Sequence, residues 1–119
     1  MQQNKIGKIY KRPWGTYETL QLGDNYQVKI ITIDPKGSLS LQKHFSRCEH
    51  WIVIKGKPTI TVGSKKKTYK INDVVYIPIE TPHRIENQTD QPAAVIEVQI
   101  GSYLGEDDIE RLEDIYGRI

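Results

Sequence analysis

The sequence predicts an all-β domain, a small antiparallel barrel or sandwich with a short helix at its C-terminal end. Two observations carry this. At least eight short runs of alternating apolar and polar residues recur at intervals of roughly ten residues, with turn-forming residues between them. A helical period is absent until the C-terminal stretch. The 119 residues suffice for one domain with its own core.

Taken in order, residues 1–11 are polar and predict an arm, ordered only where some surface receives it. Arg12-Pro13-Trp14-Gly15 then opens a single domain over 12–119, and residues 16–22 (TYETLQL) alternate as an edge strand. Gly23-Asp24-Asn25 predicts a hairpin turn into a strong strand at 26–33. In Asp34-Pro35-Lys36-Gly37, Pro at the second position and Gly at the fourth suit a β-turn. The stretch SLSLQKHFSRCEHWIVIKG at 38–56 holds two runs, 39–44 and 49–54, separated by a gap at 45–48. Lys55-Gly56-Lys57-Pro58 breaks the chain, and runs at 59–62 and 68–71 flank a turn at 63–67. Residues 74–77 and 84–87 follow, and 93–100 (AAVIEVQI) form the final strand. Glu106-Asp107-Asp108 supply an acidic first turn, Gly117 sits where a C-terminal cap belongs, and Ile109, Leu112, Ile115 and Tyr116 share one face. These predict a helix over 106–116.

Composition excludes several functions. A net charge of +2 gives no reason to expect a nucleic-acid partner. Lys65-Lys66-Lys67 reads as a solvated hairpin turn. No apolar stretch approaches the roughly 18 residues a membrane-spanning helix needs. The N-terminus lacks the apolar core of a secretory signal, and Cys48 stands alone, so a reducing, cytoplasmic location is expected.

Strand alternation puts Gln42 and His44 on one face. Glu49 opens the next run, and His83 follows a turn that Pro78 and Pro82 stiffen. Gln42, His44, Glu49 and His83 make an N/O donor set suited to one divalent transition metal. Burying these groups inside a barrel costs several kcal/mol unless something satisfies them. Mutual hydrogen bonding without an ion is the alternative. Lys29 shares a face with Ile31 and Ile33, where an interior lysine needs a partner; an edge position facing water is equally consistent. Glu97 and Gln99 share a face of the last strand. His50 lies opposite Glu49, outside the pocket or at an interface, while Trp51 is core or pocket wall. No chemistry is assigned to Cys48.

The spacing Gly37…Gln42-x-His44-x4-Glu49-x6-Gly56, with Pro78-x4-His83-x3-Asn87, resembles the two motifs of the cupin superfamily. Gln42 takes the place of a frequent first His, and Glu80 that of a common Gly. More specifically, RPWG at 12–15, SLSLQ at 38–42, EHWIVIKG at 49–56, YIP at 76–78, PHRIEN at 82–87, IEVQIGSYLGEDDI at 96–109 and YGR at 116–118 resemble one family. It is the C-terminal cupin domain of type II mannose-6-phosphate isomerases, enzymes that also carry mannose-1-phosphate guanylyltransferase activity.

The resemblance implies a cupin-type antiparallel jelly-roll β-barrel and one divalent metal ion such as zinc. It also implies aldose–ketose isomerisation between mannose 6-phosphate and fructose 6-phosphate. Guanylyl transfer is not expected, because the nucleotidyltransferase half has no counterpart here. Such an isomerisation needs a Lewis acid, a base and cations for the phosphate. Lys29 and Glu97 are the candidate bases. Arg47 is the first choice for the phosphate, with Arg84, Arg111 and Arg118 behind it. Where the family often has further histidines in the gap, this chain has Phe45 and Ser46. Two other readings stand beside the first: a cupin acting on a nucleotide-linked sugar in polysaccharide synthesis, and a non-catalytic carbohydrate-binding module. By analogy with other cupins, a homodimer pairing through strand edges or the N-terminal arm is expected.

Overall fold

The structure, a computed structural model, describes residues 4–118 and is all-β. One antiparallel sheet has the order β1 (Ile9–Arg12), β2 (Gly15–Leu22), β3 (Tyr26–Ile33), β10 (Ala93–Gly101), β5 (Arg47–Lys55), β8 (Val74–Ile77). The other has β11 (Glu110–Glu113), β4 (Leu41–Lys43), β9 (His83–Glu86), β6 (Thr59–Val62), β7 (Lys65–Thr68). Among the described residues no helix is long and apolar enough to cross a membrane.

Alternation decides what each strand buries. On β3 the inward residues are Gln27, Lys29, Ile31 and Ile33; on β5 they are Arg47, Glu49, Trp51 and Val53. Register aligns these sequences, since Glu97 of β10 pairs with both Lys29 and Trp51, and Gln99 with both Gln27 and Glu49. The interior therefore has an apolar end around Ile33, Val53, Ile85 and Val95, and a polar end around Gln27, Lys29, Glu49 and Gln99. Dry packing at the first supplies the folding energy. The second is where chemistry can be housed.

Two motif positions have backbone reasons. Gly56 has φ +72°, and a Cβ there would lie 2.6 Å from the Pro92 carbonyl oxygen. Glu80, where many cupins have Gly, has φ +61°, a left-handed conformation that disfavours any residue with a Cβ.

Two expectations meet a different outcome, and the arm finds its receiving surface within the chain. No helix forms over 106–116. Instead β11 pairs with β4, bringing Arg111 opposite Gln42 and Glu110 opposite Lys43. A lone helix of this length is marginal in water, whereas the extended segment completes an open sheet edge and turns Asp108 inward. Lys65-Lys66-Lys67 is not a turn but most of β7, an exposed edge strand hydrogen-bonded to β6. And the stretch expected as an arm is received by its own sheet from Asn4 onward. Ile9–Arg12 pairs with β2, and the Asn4 side chain donates to Gln27 and Glu106.

Candidate metal centre

At the polar end, one oxygen or nitrogen from each of His44, Glu49 and His83 falls within 4.8 Å of the others. All three side chains are buried. The two imidazoles have a defined tautomer. His44 Nδ1 lies 2.6 Å from the Asp108 carbonyl oxygen and His83 Nδ1 lies 2.9 Å from that of Thr81. A carbonyl only accepts, so each Nδ1 carries the proton and each Nε2 presents a lone pair. Those lone pairs face Glu49: His44 Nε2 is 3.3 Å from Oε2 and His83 Nε2 is 3.4 Å from Oε1. The second approach is longer than a normal hydrogen bond, and both its atoms are buried without a partner.

Arg47 answers part of the cluster, donating to Glu49 Oε2 at 3.0 Å and lying 3.4 Å from His44 Nε2. Glu49 Oε1 and His83 Nε2 are left facing each other in a dry interior, an unstable arrangement unless a proton or a cation joins them. Burial pushes His44 down to about 4, against the pull of Glu49, which keeps it in the neutral form a metal requires. Burial alone would raise Glu49, but His83, His44 and Arg47 together hold its carboxyl well below the ordinary range. Burial also opposes charge on His83, yet the Glu49 carboxylate outweighs it and holds His83 above its usual value. The donor set, the tautomers and the orphaned Glu49 and His83 atoms all fit a divalent cation.

The cavity beside this cluster is lined by Gln42, Lys29, Arg47, Glu97, Arg111 and Arg118 among others. Residues 2–114 match the family described as Mannose-6-phosphate isomerase C-terminal.

The chain belongs to the mannose-6-phosphate isomerase C-terminal family.

It is 52% identical over 107 residues to the alginate biosynthesis protein AlgA of Pseudomonas aeruginosa, covering 90% of this chain and 22% of that protein. It is 50% identical over 111 residues to the xanthan biosynthesis protein XanB of Xanthomonas campestris, covering 93% and 24%. The chain thus spans under a quarter of the length of the curated relatives it matches. Among solved structures, the capsular polysaccharide assembling protein CapF of Staphylococcus aureus superposes with a TM-score of 0.73 at 21% identity, over 90% of this chain and 32% of that one. An oxalate decarboxylase of Lactobacillus farciminis superposes with a TM-score of 0.76 at 21% identity, over 88% and 33%. These likenesses show the fold alone, and the fold is that of the cupins.

The other polar residues singled out in the sequence take up specific partners. Gln42 is half-buried beside the cluster, its Oε1 accepting from Ser40. Lys29 is buried and donates to Glu106 at 2.7 Å, with its ammonium 4.4 Å from the Tyr17 ring centroid. Glu97 accepts from Trp51 Nε1 and from Gln99 Nε2, each at 2.8 Å. Burial, then the Glu49 charge, pushes its carboxyl up to about 8. Trp51 is thus both core and pocket wall.

The arginines are sorted differently from the sequence expectation. Arg47 donates to Glu49 at 3.0 Å and to the Gly105 carbonyl, so its charge is engaged against a candidate ligand rather than free for a phosphate. Arg84 is not brought to the cavity. It lies elsewhere on β9's sheet, donating to the Leu39 carbonyl and pairing with Glu113. Arg118 lines the cavity but is held by Asp114 through two contacts of 2.6 and 3.0 Å. Arg111 lines the cavity with its Nε buried and without a partner. Burial and the Arg118 charge both work against its own charge.

Two residues were missed. Arg12 enters the cavity wall from the RPWG turn, donating to the Tyr17 hydroxyl; the motif marked the position but nothing local marked its direction. Asp108 accepts the backbone N–H groups of Phe45 and Ser46 at 2.9 and 3.0 Å, while its carbonyl orients His44. The helix expectation hid it. Asp108→Asn leaves one acceptor for two N–H donors and is expected to weaken zinc binding by about 10- to 100-fold, the usual cost of losing a group that orients a ligand. Titration against a chromophoric chelator reads this; unchanged affinity would deny Asp108 the positioning role.

Proposed function

We propose that the chain is a metal-dependent aldose–ketose isomerase interconverting mannose 6-phosphate and fructose 6-phosphate in the cytoplasm. The observation that carries the reading is the convergence of His44, Glu49 and His83 on one another, with His44 and Glu49 opening onto a cavity also walled by Arg12, Arg111 and Arg118. His44, Glu49 and His83 would hold the ion, with Gln42 beside them. When bound, a divalent ion such as zinc supplies Lewis acidity toward the sugar's carbonyl and hydroxyl oxygens.

The remaining work falls to the chain's own side chains. Arg111 and Arg12, which have no carboxylate partner among the described residues, bind the phosphate, with Arg118 adjoining them. The reaction moves one proton between C1 and C2 with no net oxidation. Glu97 is assigned that proton, since its two oxygens are fixed by Trp51 and Gln99. Lys29, steadied by Glu106, presents its ammonium to a sugar oxygen. Arg47 keeps Glu49 ionised for its ligand role.

The cavity volume of about 120 Å³ lies below the roughly 300–1,000 Å³ of sites for drug-sized ligands. It favours a monosaccharide phosphate over a nucleotide-linked sugar. The test is coupled conversion of mannose 6-phosphate to fructose 6-phosphate by metal-loaded, stripped and reloaded protein. Turnover lost on stripping and regained on reloading is expected. Full activity without metal, or no turnover when loaded, would sink the reading.

A further inference from the structure

The six-stranded sheet also has a largely apolar outer face across four of its strands. Its inner face is the core described above. On the outer face, register sets Val74, Ile52, Ile96 and Ile30 side by side in one row across β8, β5, β10 and β3. The next row runs Tyr76, His50, Val98, Val28, with the His50 and Tyr76 rings 4.9 Å apart. Val74 is 63% exposed, Tyr76 52% and Ile52 39%. Over these four strands neither row contains an Asp, Glu, Lys or Arg, although 27% of the chain is charged. The first row meets a charge only at its rim, where Glu18 of β2 pairs with Ile30. Antiparallel strands with one face in water normally alternate apolar with polar; runs such as WIVI and AAVI are the pattern of a sheet covered on both sides.

We propose that a second copy of this chain covers this face with its own copy of the same face, giving a two-fold symmetric sheet-on-sheet dimer. A third row, Cys48, Ile100 and Tyr26, crosses β5, β10 and β3. With strands about 4.8 Å and rows about 7 Å apart, the three rows make an apolar area on the order of 400 Å². This is the size of the apolar centre of a standard interface, which buries about 800 Å² per partner including its polar rim. A charge-free face meets its own copy without like-charge repulsion, and two sheets stack about 10 Å apart with their strands nearly aligned. The strand edges are poorer candidates. The edge strand β7 presents Lys65, Lys66 and Lys67, all exposed, and the opposite sheet's edge strand β1 carries Lys11 and Arg12. Charged edges of this kind resist pairing; the uncharged edge strand β8 instead presents Val74 and Tyr76 to the proposed face.

Sedimentation equilibrium of this chain at micromolar concentration is expected to give the mass of a dimer. Ile52→Glu and Val74→Glu are each expected to give monomers with the parent's circular dichroism. Val74, on an edge strand and the more exposed of the two, keeps the test decisive if Ile52→Glu fails to fold. Leu112→Glu, on the other sheet, should remain dimeric. A monomeric wild type, or face variants that stay dimeric, overturns the proposal. So does a monomer whose face is taken up only by a different protein segment. None of these readouts depends on turnover, so the isomerase reading stands or falls separately.

Discussion

Glu49→Gln is expected to abolish stoichiometric zinc binding and, with it, isomerase turnover. Glu49 is the only anionic member of the cluster, and both of its oxygens face imidazole lone pairs. A carboxamide offers one neutral oxygen and an NH2 that would point at a second lone-pair site, so the pocket loses charge and gains a donor where an acceptor is needed. The loss should exceed the roughly 10- to 100-fold that follows removal of an outer orienting group. The same change also leaves Arg47 without its carboxylate. Removing one partner of a buried ion pair costs about 3–5 kcal/mol, and because Gln keeps one acceptor for Arg47 a smaller fall in stability is expected. Elemental analysis and thermal unfolding of the metal-free protein read the two effects apart. A Glu49→Gln protein retaining one equivalent of zinc would place the ion elsewhere. In the unaltered protein, zinc competes with a proton for His83 Nε2, and Glu49 holds the His83 pKa above its usual value against the opposing effect of burial. Affinity is therefore expected to fall as pH drops through that raised value, and binding should release protons, seen as buffer-dependent heat.

Arg111→Ala should give the opposite pairing of effects. A hydrogen bond to a charged group is worth about 1.5–3 kcal/mol, so losing a phosphate contact is expected to raise KM for mannose 6-phosphate by about 10- to 100-fold. Little change in kcat is expected, because the phosphate is remote from the transferred proton. The free protein should be no less stable, and slightly more so, since the Arg111 Nε is buried without a partner and the group faces the Arg118 charge. A residue kept for the fold would show the reverse. If Arg111→Ala lowers the melting temperature and leaves KM unchanged, the phosphate assignment moves to Arg12, whose own substitution then becomes the test.

Much of the site was legible in the sequence because its residues lie on strands. A period of two is local, so Gln42 and His44, Glu49 and Trp51, and Glu97 and Gln99 could be assigned to shared faces without knowing what stood opposite. His83 was legible from the Pro78 and Pro82 turn before it. The arginines were not, since a long flexible side chain takes its direction from distant groups. Arg47 is engaged by Glu49 and the Gly105 carbonyl, and Arg84 by Glu113 and the Leu39 carbonyl.

The sequence by itself determined the all-β class, which residues of each central strand share a face, and the identity of the cluster's imidazoles and carboxylate. These depend on alternation and turn chemistry within a few residues. Only the tertiary structure decided that the C-terminal segment is a strand, that Asp108 fixes His44, and which arginine lacks a partner. Those outcomes depend on contacts between β4 and β11, far apart in the chain, where sheet pairing outweighs the weak helical preference of a short segment.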